Sequence, residues 1–295
     1  MGTIDHVGVI VHPRRKIDGA LAVVEEWAQA RGARVGQIRV QGQDRRVAEP
    51  IEPERCAFIV ALGGDGTVLA ALHKAAPVER PVLGVACGSL GALTSVKAPD
   101  VASALDRFAA GDYTPRKLPV LAVKRDGNDI GEAFNDLAVV RHGAGQVIIQ
   151  IDVDDAPYAG VAGDGIVVAT PLGSSGYTLA AGGPLLAAAA DTMVVTSVAP
   201  HGGSVPPVVL AAGSSLTLHV DGGWSGARVE QDGQVVGAEK PSGAQRPFIL
   251  EVAFRPDAAL LVDLDDETLI AGLRRRGVIA DSPRLKVRET RAQKP

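Results

Sequence analysis

Hydrophobic residues in the first third of the chain form short continuous runs that alternate with stretches at helical spacing. The run Val7–Val11 predicts a buried strand, and Ile17, Leu21, Val24 and Ala28 recur on one face of a helix. Further strands are predicted at Val35–Val40, Ala57–Leu62 and Pro81–Val85, and further helices around Leu69 and Leu72 and from Val101 to Phe108. Strands that alternate with helices of this length predict an α/β domain with a parallel, doubly wound sheet.

The pattern changes near Tyr113, beyond which short apolar runs follow one another. These runs predict strands at Val120–Val123, Leu137–Val140, Val147–Val153, Ile166–Ala169, Met193–Val198, Leu216–Val220 and Phe248–Phe254. Asp-Gly pairs predict hairpins or tight turns at Asp126-Gly127, Asp164-Gly165, Asp221-Gly222 and Asp232-Gly233. A β-rich domain is therefore expected, interrupted by one helix that begins near Gly176 and runs toward Gly182.

The C-terminal segment returns to mixed α/β character. Leu260–Leu264 predicts a strand and Asp265–Arg276 a helix, with Asp266 near its start and arginines near its end. These changes of pattern divide the chain into residues 1–113, 114–255 and 256–295. The last segment is expected to pack back on the first.

Composition narrows the class of protein. Hydrophobic residues make up 46% of the 295 residues and charged residues 22%, which suits a globular protein with an ordinary core. Aromatic residues are 3% and the formal net charge is −4, so no nucleic-acid partner is expected. No signal peptide or bilayer-spanning run is found, and Cys56 and Cys87 match no disulfide or metal spacing. We expect a cytoplasmic protein without a membrane partner, and a solvated basic tail from Arg284 to Lys294.

The predicted strand Ala57–Leu62 leads into the most informative motif, Gly63-Gly64-Asp65-Gly66-Thr67. Three glycines let the backbone approach a ligand closely, and the helix that follows presents its positive end to an anion. Asp65 has no basic neighbour in the sequence, so its carboxylate is expected to be free to take a proton or hold a metal. The motif is typical of a phosphate loop that carries a base, although a plain strand-to-helix turn also uses Asp-Gly.

A second glycine loop, Gly88-Ser89-Leu90-Gly91, follows the next predicted strand. Taken alone, it fits an ordinary loop as well as a ligand site. Ligands of doubly wound sheets bind at the carboxyl ends of the strands, so both glycine loops are expected to face one cleft.

Two further stretches lie in the β-rich region. Asn135-Asp136 interrupts an apolar run, so its side chains either turn outward or bind a ligand. The stretch Gly160–Pro184 has Asp164 between glycines and then a Gly/Ser-rich approach to a helix, with Ser175 and Tyr177. Hydroxyl groups, a carboxylate and a ring suit a nucleoside, whereas the alternative is a serine helix cap beside a core tyrosine.

Several common motifs are missing from the chain. It contains no Gly-x-x-x-x-Gly-Lys-Ser/Thr, no Gly-x-Gly-x-x-Gly after the first strand and no His-Glu-x-x-His. Gly173–Tyr177 fails the hydrolase nucleophile elbow because its last residue is Tyr. A Walker-type phosphate loop and the ordinary dinucleotide-binding fingerprint are therefore excluded.

The four stretches, in this order and at these intervals, resemble the NAD kinase family. The family pattern is Gly-Gly-Asp-Gly-Thr, a Gly-x-x-Gly loop after the next strand, Asn-Glu, and Gly-Asp-Gly followed by Thr-Pro-x-Gly-Ser-Thr-Ala-Tyr and Gly-Gly-Pro. The first motif is shared with diacylglycerol and sphingosine kinases, and a near variant with phosphofructokinases, so Thr170–Pro184 is the stretch that points to NAD kinases. This chain differs from the pattern at Ala86, Asp136, Ser175-Gly176 and Ala180.

The resemblance implies transfer of the γ-phosphoryl group of ATP to the 2′-hydroxyl of the adenosine ribose of NAD, giving NADP. It implies Asp65 as the general base and a divalent cation, Mg²⁺ or another, that would bridge the phosphates largely through substrate oxygens and water, with any protein ligands unknown. The ATP phosphates would be held by Gly63, Gly64, Gly66 and Thr67. The sugar or base of NAD would be held by Asn135 and Asp136, its nicotinamide side by Asp164, and its adenosine by Ser175 and Tyr177.

The resemblance also implies a homo-oligomer, a dimer or a tetramer, in which a neighbouring subunit helps to build the acceptor site. Residues 1–113 would form the nucleotide-phosphate domain and residues 114–255 the acceptor-binding domain, with the cleft between them. Polyphosphate is an alternative donor to ATP. Two alternatives for the protein as a whole are a lipid kinase of the diacylglycerol kinase type and a non-catalytic nucleotide-binding regulator.

Overall fold

The fold was analysed in a computed structural model, which describes residues 4–237, 246–264 and 269–282. The chain forms two compact units, one made of Met1–Arg116 with Ala259–Pro295 and the other of Lys117–Ala258. The first, the α/β unit, has parallel strands, and the second, the β-rich unit, has mainly antiparallel ones. The fold class predicted from the hydrophobic pattern is thus confirmed.

Strands and helices alternate in the α/β unit, as the spacing of its apolar residues predicts. In chain order its elements are β1 (His6–Val11), α1 (Asp18–Gln29), β2 (Arg34–Gln37), β3 (Phe58–Gly63), α2 (Asp65–Ala75), β4 (Val82–Ala86), β5 (Val96–Lys97) and α3 (Val101–Ala110). Short 3₁₀ helices lie at Pro53–Arg55, Ala76–Val78 and Ala98–Asp100. Gly111 ends α3 in the left-handed conformation that favours glycine.

The β-rich unit is built from the middle of the chain. Its elements are β6 (Thr114–Arg125), β7 (Asn128–Ala133), β8 (Asp136–Arg141), β9 (Val147–Val153), β10 (Ala156–Ala169), α4 (Tyr177–Ala180), β11 (Thr192–Pro200), β12 (Val208–Ala211), β13 (Leu216–Asp221), β14 (Ala227–Gln231), β15 (Gln234–Val236) and β16 (Phe248–Asp263). Residues 114–116 of β6 and 259–263 of β16 belong to the α/β unit. A 3₁₀ turn at Gly173–Ser175 precedes α4, and α5 (Leu269–Arg275), which belongs to the α/β unit, follows β16.

The parallel strands of the α/β unit lie in the order β2-β1-β3-β4. The last residues of β16 and the short β5 also pair with β4, both in the parallel direction. The register places Gly63, the last residue of β3, opposite Ala86, the last residue of β4. The two glycine loops therefore begin side by side at the carboxyl edge of the sheet.

The apolar core of the α/β unit surrounds the ring of Phe58 on β3. Trp27 on α1 meets that ring edge to face at a centroid distance of 6.1 Å, and its Nε1 donates to Asp106 at 2.8 Å. Arg31 lies over the indole at 4.2 Å, and the whole Trp27 residue is only 6% exposed. Aromatic contacts of this kind add to the stabilisation that apolar burial provides.

The β-rich unit has its own apolar core. Its strands lie in the order β15-β14-β8-β10-β9-β13-β16. The long strand β10 pairs with β9 along its first half and with β8 and β11 along its second half. β12 pairs with β11, and β7 pairs with β6. Trp224, in the connection between β13 and β14, is 85% exposed.

Two sequence predictions about elements are wrong. Phe248–Phe254 and most of Leu260–Leu264 belong to one strand, β16, which continues through residues 255–259 although Asp257 has a positive φ of 56°. Asp164-Gly165 lies inside β10 rather than in a turn, because Gly165 adopts a φ of 155° and passes directly against the backbone of β8. The strands β5, β7, β12, β14 and β15 were not predicted.

Part of the C-terminal prediction lies outside the described residues. The predicted helix Asp265–Arg276 is represented by α5, and its first residues, including Asp266, are not described. The basic tail from Arg284 to Lys294 is likewise not described. Over the described ranges, no helix combines the length and the apolar character needed to cross a bilayer.

Candidate active site

The first glycine loop lies where β3 passes into α2. Gly64 is extended and precedes the helix, which begins at Asp65. The amides of Thr67 and Val68 donate to the carbonyl oxygen of Gly64 at 2.8 and 3.1 Å, which closes the first turn. Gly66 is exposed, whereas the side chain of Thr67 is buried. The predicted strand, loop and helix are all present, and the loop lies at the carboxyl edge of the sheet.

The carboxylate of Asp65 is held by the second glycine loop. Its Oδ2 accepts a hydrogen bond from the amide of Ala92 and its Oδ1 one from Leu93, both at 2.9 Å. Gly91 makes this possible, because a Cβ at that position would lie 1.9 Å from Oδ1. Sequence analysis expected a carboxylate without a basic neighbour in the sequence; the amides that orient this carboxylate come from the loop after the neighbouring strand.

Two arginines that sequence analysis did not identify approach this carboxylate. Nη1 of Arg276, just after α5, lies 4.0 Å from Oδ2 of Asp65. Arg116 donates to the carbonyl oxygen of Ala92 at 3.1 Å and pairs with Asp263 at 3.6 Å. Burial lowers the pKa of Arg116, whereas the carboxylates of Asp263 and Asp65 act in the opposite direction. Both arginines are far from Asp65 in sequence, so no local pattern could have revealed them.

A third arginine lies at the start of the first glycine loop. Arg15 follows β1, and its Nη1 lies 3.5 Å from the carbonyl oxygen of Gly63. Three arginines thus place positive charge beside the glycine loops, and positive charge attracts phosphate groups.

In the β-rich unit, the segment Asn135-Asp136 leads into β8 and is fixed through its main chain. The carboxylate of Asp232 accepts hydrogen bonds from the amides of Phe134, Asn135 and Asp136 at 3.0, 2.6 and 3.3 Å. The carbonyl oxygen of Asn135 accepts one from the amide of Thr170 at 2.9 Å. No described residue hydrogen-bonds the side-chain amide of Asn135, which leaves it available to a ligand.

Asp136 lies in an acidic environment. Burial, with added repulsion from the carboxylates of Asp232 and Glu230, raises the pKa of Asp136 to about 6. Its side chain therefore carries a costly charge at neutral pH, and hydroxyl groups of a ligand would relieve that cost by donating to it.

The turn that contains Ser175 packs directly on Asn135. Thr170 Oγ1 donates to the carbonyl oxygen of Phe134 at 2.6 Å, and a Cβ on Gly173 would lie 2.0 Å from the carbonyl oxygen of Asn135. Ser174 is buried and serves the fold, since its Oγ donates to Pro171 and accepts from the amide of Leu186. Ser175 is half-buried, and its Oγ donates to Leu172 at 3.3 Å.

Tyr177 follows this turn in α4, whereas Asp164 lies further along β10. Burial raises the pKa of the Tyr177 hydroxyl, and the carboxylates of Glu230, Asp164 and Asp136 raise it further, while Arg228 acts in the opposite direction. Asp164 is not a free carboxylate, because Arg141 Nε donates to its Oδ1 at 2.5 Å. The turn with Ser175 thus adjoins the Asn135-Asp136 segment, whereas Asp164 lies at the other end of the β8–β10 pairing, next to Arg141.

The two units therefore offer different chemistry. The α/β unit presents glycine backbone and arginines around one carboxylate, and the β-rich unit presents an amide, hydroxyls and carboxylates.

Sequence comparison identifies the family. Residues 7–113 match the ATP-NAD kinase N-terminal domain and residues 134–246 the ATP-NAD kinase C-terminal domain. The chain is 34% identical over 201 residues to the NAD kinase of Koribacter versatilis, which covers 66% of this chain and 70% of that one. This chain belongs to the NAD kinase family.

Other relatives match over a smaller part of their length. The NAD kinase of Symbiobacterium thermophilum is 38% identical over 169 residues, which covers 55% of this chain and 59% of the relative. The chain thus matches less than two thirds of that protein.

Solved structures share the fold at low sequence identity. The structure of yeast NADH kinase complexed with NADH superposes with a TM-score of 0.82 at 17% identity, covering 97% of this chain and 90% of that one. An NAD kinase from Archaeoglobus fulgidus in complex with ATP superposes with a TM-score of 0.70 at 22% identity, covering 93% and 100%.

Proposed function

We propose that this protein transfers the γ-phosphoryl group of ATP to the 2′-hydroxyl of the adenosine ribose of NAD, giving NADP and ADP. The observation that carries the proposal is the position of the Asp65 carboxylate, in a chain that belongs to the NAD kinase family. Asp65 belongs to the first glycine loop, and its carboxylate is hydrogen-bonded to the amides that follow the second one, at the carboxyl edge of the sheet. Related structures were solved with NADH and with ATP, which are the two kinds of nucleotide this reaction uses.

In this proposal the α/β unit binds the donor. Gly63, Gly64, Gly66 and Thr67 line the phosphate site at the start of α2, where the positive end of the helix favours an anion. The described ranges contain no group of three His, Cys, Asp or Glu side chains that could form a metal cage. Mg²⁺ or another divalent cation would therefore be held mainly by phosphate oxygens and water, where it would neutralise negative charge.

The β-rich unit binds the acceptor. Asn135 and Asp136 hold the sugar or base of NAD, since the amide of Asn135 is available and the carboxylate of Asp136 favours hydroxyl donors. Asp164 lies on the nicotinamide side, and Ser175 and Tyr177 contact the adenosine. The pairing of Asp164 with Arg141 means that this carboxylate is presented in a fixed orientation.

Asp65 is the proposed base. It accepts the proton of the 2′-hydroxyl as that oxygen forms a bond to the γ-phosphorus, and the bond from phosphorus to the bridging oxygen breaks, with ADP taking the electron pair. The amides of Ala92 and Leu93 leave each carboxylate oxygen with a further lone pair for this proton. Positioning and charge stabilisation supply most of the rate in phosphoryl transfer.

Membership of the NAD kinase family favours this function over a lipid kinase or a non-catalytic regulator. The division of the chain into a phosphate-binding and an acceptor-binding domain, the homo-oligomer and the cytoplasmic location remain predictions. A panel of donors and acceptors separates the alternatives: ATP against polyphosphate, and NAD against NADH and diacylglycerol.

The direct test incubates purified protein with ATP, Mg²⁺ and NAD and scores NADP with an NADP-specific dehydrogenase. NADP is expected to accumulate in proportion to protein. Asp65→Asn should lower kcat by on the order of a hundredfold or more, the usual loss on removal of a general base. Asp44→Asn, at an exposed position of the same unit, should not. Folded protein that forms no NADP above the blank would contradict the proposal.

A further inference from the structure

We propose that Arg15 binds the terminal phosphates of the donor nucleotide and stabilises the charge that builds up on them during transfer. This inference rests on the proposed function and adds a residue that the glycine motifs do not contain. Arg15 lies in the connection between β1 and α1, beyond the carboxyl end of β1.

The position of its guanidinium group carries the argument. Nη1 lies 3.5 Å from the carbonyl oxygen of Gly63 in the first glycine loop. A Cβ added to Gly64 would lie 3.1 Å from the same nitrogen, and one added to Gly88 in the second loop would lie 2.8 Å from it. One guanidinium therefore lies against the main chain of both loops, where neither loop has a side chain to separate it from a bound phosphate.

The charge of Arg15 is not neutralised within the described part of the chain. No carboxylate there lies within 4.0 Å of its guanidinium, and the side chain is exposed. Two other arginines of the unit are paired, Arg31 with Asp106 and Arg45 with Asp18. An arginine that is left unpaired beside two glycine loops can give its full charge to a ligand.

The main chain around Arg15 is fixed, although its side chain is exposed. Nδ1 of His12 accepts hydrogen bonds from the amides of Arg14 and Arg15, both at 3.1 Å. Nη1 of Arg45 donates to the carbonyl oxygen of Arg15 at 2.7 Å, while Nη2 of Arg45 pairs with Asp18. Burial and the three neighbouring arginines lower the pKa of His12, which favours the neutral ring that this acceptor role requires.

These hydrogen bonds of His12 and Arg45 hold the main chain at Arg15, which reduces the conformational freedom that Arg15 would lose on binding. The other two arginines of the site already have partners: Arg116 contacts Asp263 and Ala92, and Arg276 contacts Gly272 and approaches Asp65. Arg15 is thus the cation best placed for the donor, and its planar fork suits two phosphate oxygens at once.

The test compares Arg15→Gln and Arg15→Lys with Arg14→Gln, a neighbour in the same turn whose side chain is also exposed. Arg15→Gln should lower kcat/KM for ATP by on the order of a hundredfold, the loss typical for one transition-state donor. It should weaken ADP binding, measured by calorimetry without turnover, by about tenfold. The KM for NAD should stay within twofold of wild type, and Arg15→Lys should recover part of the loss.

Arg14→Gln should behave as wild type in every measurement. An Arg15→Gln protein with wild-type ADP affinity and wild-type kcat/KM for ATP would overturn the inference. Equal losses in Arg14→Gln and Arg15→Gln would also overturn it, because they would show a general effect of surface charge. The ADP measurement keeps this test separate from the proposed function, since it can be made even if the wild type forms no NADP. Repeating the kinetics with polyphosphate shows which donor Arg15 serves.

Discussion

At the scale of single residues, carboxylates in this protein orient main-chain segments as well as offering charge. Asp65 accepts from two amides of the second glycine loop, and Asp232 accepts from three amides before β8. Each bond between a main-chain amide and a carboxylate is stronger than a neutral one and shorter on average. The expected reactive groups are therefore placed by contacts that were invisible in the sequence.

Gly91 determines where the carboxylate of Asp65 lies. In Gly91→Ala the new methyl group would fall 1.9 Å from Oδ1, so the carboxylate must move and lose its bonds to Ala92 and Leu93. A displacement of about 1 Å in a reacting group can cost a hundredfold in rate, so we expect a loss of kcat of about that size. Steady-state kinetics of the purified variant would measure it.

Gly19→Ala is the matched control, because Gly19 lies within α1 and a methyl group there meets open space. That variant should keep full activity and be slightly more stable, since alanine favours helix over glycine by about 1 kcal/mol. If Gly91→Ala retained activity within threefold of Gly19→Ala, the position of the Asp65 carboxylate on the amides of Ala92 and Leu93 would not matter for the reaction.

Asp136 makes stability depend on pH. Its pKa rises from 3.8 in the unfolded chain to about 6 in the folded protein, so the folded state holds the proton more tightly. The corresponding stability is fully present below pH 3.8 and is lost as pH rises through about 6. The loss is at most about 3 kcal/mol for a shift of this size.

Asp136→Asn removes that titration. Relative to wild type, its free energy of unfolding should rise between pH 4 and pH 7.5, and urea denaturation at the two pH values would measure the difference. The same variant should bind NAD more weakly, because the carboxylate that accepts ligand hydroxyls is gone. A stability difference from wild type that is the same at both pH values would show that ionisation of the buried Asp136 does not lower the free energy of unfolding.

At the scale of elements, Asp-Gly pairs are informative only in context. Asp126-Gly127 and Asp232-Gly233 form the predicted hairpin turns, with both residues of each pair at positive φ. Asp164-Gly165 has the same sequence signature, yet it lies inside β10. The difference is tertiary, because the glycine of that pair is needed for close contact with β8.

The two hairpin turns offer a controlled comparison. Asp232→Asn should keep the turn conformation, since Asn tolerates positive φ. An NH₂ group would, however, replace one of the two carboxylate oxygens that accept hydrogen bonds from the main-chain amides of Phe134 and Asn135. We expect the KM for NAD to rise by about tenfold with the KM for ATP unchanged, because one lost charged hydrogen bond has roughly that effect.

Asp126→Asn is the control for this experiment, since Asp126 occupies the same position in its hairpin and accepts from Ile249 instead. It should leave both KM values at wild-type levels. A KM for NAD that rises equally in both variants would mean that turn stability, rather than the position of Asn135 and Asp136, is responsible.

The elements that sequence analysis located have strong apolar patterns. β1, β3, β4 and helix α3 follow from their periodicity, and the Gly63–Thr67 loop follows from its glycines. β7, with the sequence Asn-Asp-Ile-Gly-Glu-Ala, has too few apolar residues to show a strand pattern, and its neighbour β6 decides its conformation. The break predicted in β16 reflects Pro256 and Asp257, which the strand accommodates with Asp257 at a φ of 56°.

At the scale of the whole molecule, the order of apolar patterns was sufficient to predict a parallel α/β unit and a β-rich unit. The surroundings of the candidate site were not predictable in this way. Arg15, Arg116 and Arg276 come from three distant parts of the chain, and only the packing of the α/β unit brings them to the glycine loops. Long-range contacts of this kind leave no periodic signal in one sequence.

The two tryptophans of the chain give each unit its own optical signal. Trp27 is buried against Phe58 in the α/β unit, whereas Trp224 is 85% exposed in the β-rich unit. Trp224 should already emit like a solvated indole and be quenched by iodide in the folded protein. The red shift of emission on denaturation should therefore report the α/β unit alone, and Trp27→Phe should abolish it. A red shift of wild-type size in Trp27→Phe would show that Trp224 is shielded in solution, as it would be at a contact between subunits.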